Sequence, residues 1–118
     1  MGRNIIEDDR GTVFLDYDGS CIVENNDPNA IPDIFIPSAL EWVKDRYIEG
    51  YRVVVTTSRR KEHCKNIGLM FGKHGIQLTG MIYGLGNGPR LLVNDHEFGK
   101  KSTAIALNPI KDAWICEM

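Results

Sequence analysis

The sequence predicts an α/β fold: a mostly parallel central sheet layered with helices on both faces, in a single domain covering residues 1–118. Two observations carry this. The apolar runs are short and continuous rather than alternating, as strands covered on both faces are. Segments of helical periodicity separate them, as crossovers between parallel strands require. Length agrees, since 118 residues bury one real core but not two independent ones.

The first run, Thr12 to Leu15, ends abruptly in VFLDYDGSC, with Asp16 and Asp18 on either side of Tyr17 and Gly19-Ser20 directly after. An irregular stretch follows, Ile22 to Ile36, rich in Asn and Pro; a loop this long in a small domain reads as a functional flap. Pro37-Ser38 opens the first helix, in which Leu40, Val43 and Tyr47 recur on one face and Gly50 supplies the stop. The second run, Arg52 to Thr56, leads into Thr57-Ser58-Arg59. A second helix is expected over Arg60 to His74, with Cys64, Ile67 and Phe71 on one face, Gly75 at its end, and Gly68 and Gly72 weakening it. Met81 to Tyr83 and Arg90 to Val93 are the third and fourth strand candidates, with a weaker fifth around Thr103 to Leu107.

Composition excludes more than it selects. With 14 Lys+Arg against 16 Asp+Glu, no bulk field recommends nucleic acid or an anionic membrane as the main partner. No apolar stretch approaches the about 18 residues of a membrane span, and the charged opening MGRNIIEDDR lacks the apolar core of a signal peptide, so a cytoplasmic protein is expected. Cys21, Cys64 and Cys116 are far apart and form no CxxC pair; they read as reduced, mostly buried thiols.

In open parallel sheets ligand chemistry gathers at the carboxyl ends of the strands. Three such ends carry polar groups here: Asp16 to Ser20, Thr57-Ser58-Arg59, and Asn94-Asp95. Carboxylates converging on one rim repel each other unless a cation holds them, and a hard, oxygen-preferring ion such as Mg²⁺ suits that set.

A first strand ending in LDYDGS, a second ending in VVVTTSR and a later run ending in LLVND resemble the haloacid dehalogenase superfamily of phosphohydrolases. The match runs from about Thr12 to Asp95; DxDG followed by a hydroxyl residue is its most specific part, and Ser20 replaces the commoner Thr. The resemblance implies a three-layer, Rossmann-like fold. It also implies that Asp16 is the nucleophile and a metal ligand, that Asp18 is the general acid and base and offers its main-chain carbonyl to Mg²⁺, and that Gly19 lets the strand unwind. Thr57 or Ser58 would supply the hydroxyl that binds a phosphoryl oxygen, Arg59 would favour the anion, and Asp95 would be the last metal ligand. The third-motif cation departs from the family pattern, because no Lys stands just before the fourth run; Arg90 and Lys73 are the two candidates.

Both places where the family inserts a cap domain, Cys21 to Ile36 and Arg59 to Arg90, are too short to hold one. An open site follows, shaped by the flap or by a neighbouring subunit of a homo-oligomer, as in capless relatives acting on sugar phosphates or on macromolecular ends. The expected partner is thus a small phosphorylated substrate, a sugar phosphate or nucleotide, with nucleic-acid ends as the alternative.

Other readings fare less well. A non-catalytic phospho-ligand or protein-binding module would have little use for Asp18. A signalling receiver domain would place its phosphorylated Asp after a middle strand, where this chain has Thr-Thr-Ser. The glycines of GLGNGP complete neither GxxxxGK[ST] nor GxGxxG, which excludes a phosphate loop for ATP. His63, His74 and His96 read as solvated, and Trp42 and Trp114 as packing residues, with a subunit contact the other role open to Trp114.

Overall fold

The structure is a computed structural model that describes residues 10–24 and 33–114. Three parallel strands form its sheet: β1 (Thr12–Asp16), β2 (Arg52–Thr56) and β3 (Gly80–Ile82), in the order β1-β2-β3. Register aligns Leu15 with Val55 and Met81, and Asp16 with Thr56 and Ile82, so the carboxyl ends of all three strands form one rim.

Between β1 and β2 runs α1 (Pro37–Ile48), whose bounds follow from its terminal residues. Proline stands at its start, where the missing N–H costs no hydrogen bond. At its end the Gly50 N–H donates to the Tyr47 carbonyl and the Tyr51 N–H to the Arg46 carbonyl, a reversal that needs the positive φ of 100° at Gly50. Val43 of the expected face is fully buried, with Leu40 and Tyr47 packed beside it.

The expected second helix over Arg60 to His74 is broken. A 3₁₀ turn, Lys61–His63, is followed by a non-helical Cys64, and only Ile67–Gly72 forms an α-helix, α2. Two glycines in six residues leave α2 little intrinsic propensity, so packing of Ile67 and Phe71 rather than backbone preference holds it. Its expected face survives the break: Cys64, Ile67 and Phe71 are all buried.

The core joins Leu15, Val53 and Val55 of the sheet to Val43 of α1 and to Ile67 and Phe71 of α2. Two crossovers stepping in the same direction along a sheet, each right-handed, put their helices on one face. The other row is accordingly less covered, with Phe14 55% exposed. The expectation of helices on both faces is therefore met on one face among the described residues.

Nor are the fourth and fifth runs strands. Arg90 to Val93 and Thr103 to Leu107 are irregular and exposed, with Leu91 at 90% and Val93 at 95%. Nothing in residues 91–108 reaches the core, so the apolar pattern that suggested strands finds no sheet partner, and the outer edge of β1 is unpaired among the described residues. Of the expected flap, residues 22–24 and 33–36 are described and form an antiparallel stem, with the Val23 N–H donating to Ile34 and the Ile36 N–H to Cys21; residues 25–32 and Cys116 lie outside the described residues.

Phe71 is the keystone of this small core. Its ring meets Phe35 edge-on at 5.1 Å and Tyr17 at 6.3 Å, joining α2 to the flap stem and to the loop after β1. Replacing Phe71 by Ala is expected to cost about 3–5 kcal/mol, a large share of the about 5–15 kcal/mol that holds a domain together. Urea unfolding of the two proteins measures the difference.

Candidate active site

The loop after β1 turns sharply. The Gly19 N–H donates to the Ile22 carbonyl at 2.8 Å, and the Cys21 and Ile22 N–H groups both donate to Tyr17. Gly19 takes a φ of 82°, a backbone conformation that side chains disfavour, so the turn asks for glycine. This turn brings Asp16, Asp18 and Ser20 onto one open concavity that Asp33, Ser58, Arg59, Lys73 and Arg90 also line.

Asp16 accepts a hydrogen bond from the Ser20 hydroxyl at 3.0 Å, which gives the hydroxyl at position 20 a local purpose. Burial raises the Asp16 carboxyl above the usual range and Asp18 adds to the rise, while Ser20 and the positive charge of Arg90 pull it back. Neighbouring Cys21, buried beside Asp16, has its thiol pushed up to about 12 and is inert as a nucleophile.

Asp18 faces Arg59. The guanidinium Nε donates to Asp18 at 3.0 Å and Nη2 at 2.7 Å, a two-pronged ion pair with both side chains about three-quarters buried. Burial opposes the charge on Arg59, but its bonds to Asp18 and Asp33 outweigh that and hold the guanidinium more firmly protonated than usual. Thr57 is fully buried; its hydroxyl donates to Asp18 at 3.3 Å and accepts the Arg59 N–H at 3.0 Å. Ser58 lines the concavity and donates to the Gly86 carbonyl at 3.5 Å, whereas Thr57 lies beneath it, so both hydroxyls remain candidates.

Arg59 precedes the 3₁₀ turn rather than the N-terminus of a full helix, because the second helix starts later than expected. Its charge, not a helix end, is what this corner offers an anion. Arg90 spends Nη1 on the Gly86 and Gly88 carbonyls at 2.6 and 3.0 Å, yet its charge is felt at Asp16. Lys73 closes the C-terminus of α2 and also lines the concavity.

Comparison with family models, curated proteins and solved structures finds no match.

Asp95 is not brought to Asp16. It does not line the concavity, and its carbonyl accepts the Thr103 hydroxyl within a local loop where Asn94 Nδ2 also donates to the Thr103 carbonyl at 3.0 Å. Among the described residues no group of three or more His, Cys, Asp or Glu side chains is placed to hold a metal ion. The donors at the rim still have the chemistry of a Mg²⁺ site, for Asp16 and the Asp18 main-chain carbonyl are hard oxygens, and Mg²⁺ ordinarily takes one or two carboxylates together with water and substrate phosphate. No helix among the described residues is long and apolar enough to cross a membrane.

Three participants escape sequence reasoning. Tyr17, between the two aspartates, is fully buried, donates to Asp33 at 2.9 Å and lies under the Arg59 guanidinium. Asp33 pairs with Arg59 at 3.1 Å. Asp112 reaches back from the far end of the chain: its N–H donates to the Gly19 carbonyl at 2.7 Å, and its carboxylate accepts the Glu24 N–H at 2.8 Å. Lys111 adds an ion pair to Glu24 at 2.7 Å, which ties the turn after Asp18 to the start of the flap stem. Asp112 takes a positive φ of 63°, a conformation Asp tolerates better than most residues. Trp114 packs on Trp42 at 5.7 Å, a contact within the chain.

Proposed function

We propose that the protein hydrolyses phosphomonoesters by way of an aspartyl-phosphate on Asp16, with Mg²⁺ as cofactor and a small phosphorylated metabolite as substrate. The observation that supports this best is the meeting of Asp18, Thr57 and Arg59 beside Asp16, at the carboxyl ends of β1 and β2. A nucleophile, a proton carrier, a hydroxyl donor and a fixed cation stand together, which is what phosphoryl transfer asks of a protein.

In the first step a carboxylate oxygen of Asp16 forms a bond to phosphorus while the bond from phosphorus to the ester oxygen breaks, and Asp18, having first taken up a proton from solvent, gives that proton to the departing oxygen. In the second step Asp18 takes a proton from water as the water oxygen attacks phosphorus, which releases phosphate and restores Asp16. Arg59 and the hydroxyl of Thr57 or Ser58 hold the non-bridging oxygens, and Arg90 keeps a positive charge near the nucleophile. Bound Mg²⁺ would neutralise negative charge on the transferring group.

This reading carries a finer fold with it. A three-layer, Rossmann-like arrangement would cover the second face of the sheet, where Phe14 is 55% exposed.

A panel of sugar phosphates, nucleotides and nucleic-acid 3′-phosphates tests the proposal. Phosphate release with Mg²⁺, lost in EDTA and restored by added Mg²⁺, is the expected result, and the best substrate identifies the leaving group. Activity that persists in EDTA would overturn the cofactor assignment. No release from any compound, with ligand binding unchanged by Asp18→Asn, would favour a non-catalytic phospho-ligand module.

A further inference from the structure

A guanidinium has five N–H donors, and every one of those on Arg59 is in use. Nε donates to Asp18 at 3.0 Å, Nη2 to Asp18 at 2.7 Å and to Asp33 at 3.1 Å, and Nη1 to Asp33 at 3.3 Å and to the His63 carbonyl at 3.3 Å. The edge spanned by Nη1 and Nη2, the one best shaped for two oxygens of an anion, is taken by Asp33. Two carboxylates around one cation also leave the group with a net negative charge, which repels an incoming oxyanion.

We propose that Asp33 is a built-in competitor for the anion that Arg59 receives: its carboxylate occupies the positions that two oxygens of a phosphate group would take, and that group binds by displacing it. The inference rests on reading the rim as a phosphoryl site, and it adds a specificity-determining residue to it. Asp33 rather than Asp18 is the group that gives way. Asp18, on the turn that directly follows β1, is held additionally by the Thr57 hydroxyl at 3.3 Å. Asp33 belongs to the flap stem and keeps the Tyr17 hydroxyl, at 2.9 Å, as an alternative partner when it leaves the guanidinium. Weak anions that cannot outbid a carboxylate are thereby turned away, whereas a phosphate dianion, with more charge and more acceptor oxygens, can exchange with it.

The sign of the effect sets this apart from a structural role. Removing a residue that merely braces the site weakens binding; removing a competitor strengthens it. Isothermal titration with inorganic phosphate is expected to show Asp33→Asn binding about tenfold tighter than the unaltered protein, the size of one charge-assisted pair. Asparagine retains an oxygen for Tyr17, and Asp33→Ser provides a second variant, with thermal melts to show that both are folded. In Asp33→Asn combined with Arg59→Gln the gain is expected to vanish. Affinity equal to or weaker than that of the unaltered protein, a gain that persists without Arg59, or no detectable phosphate binding by either single variant would each overturn the proposal. Turnover plays no part in these readings, so a failure to hydrolyse esters would count against the proposed function alone.

Discussion

Asp16→Asn is expected to abolish phosphate release, by on the order of a thousandfold or more, while leaving the fold intact. The amide oxygen can still accept the Ser20 hydroxyl, which meets Asp16 at 3.0 Å, so the turn after β1 keeps its local contact. What disappears is the nucleophile, because an amide does not attack phosphorus. Stability should move in the opposite direction. Burial raises the Asp16 carboxyl above the usual range, so the stability this group contributes in its protonated form is present in acid and lost as pH rises through the raised value. At neutral pH the half-buried carboxylate is a burden on the fold, and a neutral asparagine removes it. The variant should therefore melt at the same temperature as the unaltered protein or slightly above it, the pattern of a group kept for chemistry rather than for stability. A dead variant that also melts far lower would mean that Asp16 is structural, and full activity would remove it from the mechanism.

How far the sequence reveals this molecule depends on how local each cause is. β1, β2 and α1 are legible because their causes lie within a few residues: apolar runs with abrupt polar ends, Pro37 at a helix start, and Gly50 at a stop. β3, Gly80–Ile82, is the Met81 to Tyr83 run shifted by one residue. The second helix is legible by its buried face but not by its bounds, since Cys64 interrupts it and the periodicity of Cys64, Ile67 and Phe71 survives a change from 3₁₀ to α geometry. At the site, Asp16, Asp18, Thr57 and Arg59 belong to two strand ends that parallel pairing must bring side by side. The contacts of Asp33 with Arg59 and of Asp112 with Glu24 join residues far apart in the chain, and no spacing or motif announces them. Arg90 to Val93 shows the converse, since an apolar run says that a segment can be a strand but not which neighbour pairs with it.

Asp18→Asn should separate the two halves of the proposed reaction. Its carboxyl is held by Arg59 and Thr57, at 2.7 and 3.3 Å, close to where a leaving oxygen would depart from phosphorus. Loss of a general acid and base typically costs about 10²–10⁴-fold, and the cost falls differently on different substrates. An alkyl phosphate needs its leaving oxygen protonated, so the first step fails and product should fall by the full amount. A p-nitrophenyl ester leaves as a stable anion without a proton, so attack by Asp16 can proceed, but the water that should clear the aspartyl-phosphate then lacks its base. The expected trace is a burst of about one p-nitrophenol per chain followed by a slow phase, with phosphate trapped on the protein. Mass spectrometry of the protein quenched in acid should find the added phosphoryl group on the peptide containing Asp16. Equal losses for both esters with no burst would mean that Asp18 serves chiefly to hold Arg59 in place, and the proton would then have to move through another group at the rim.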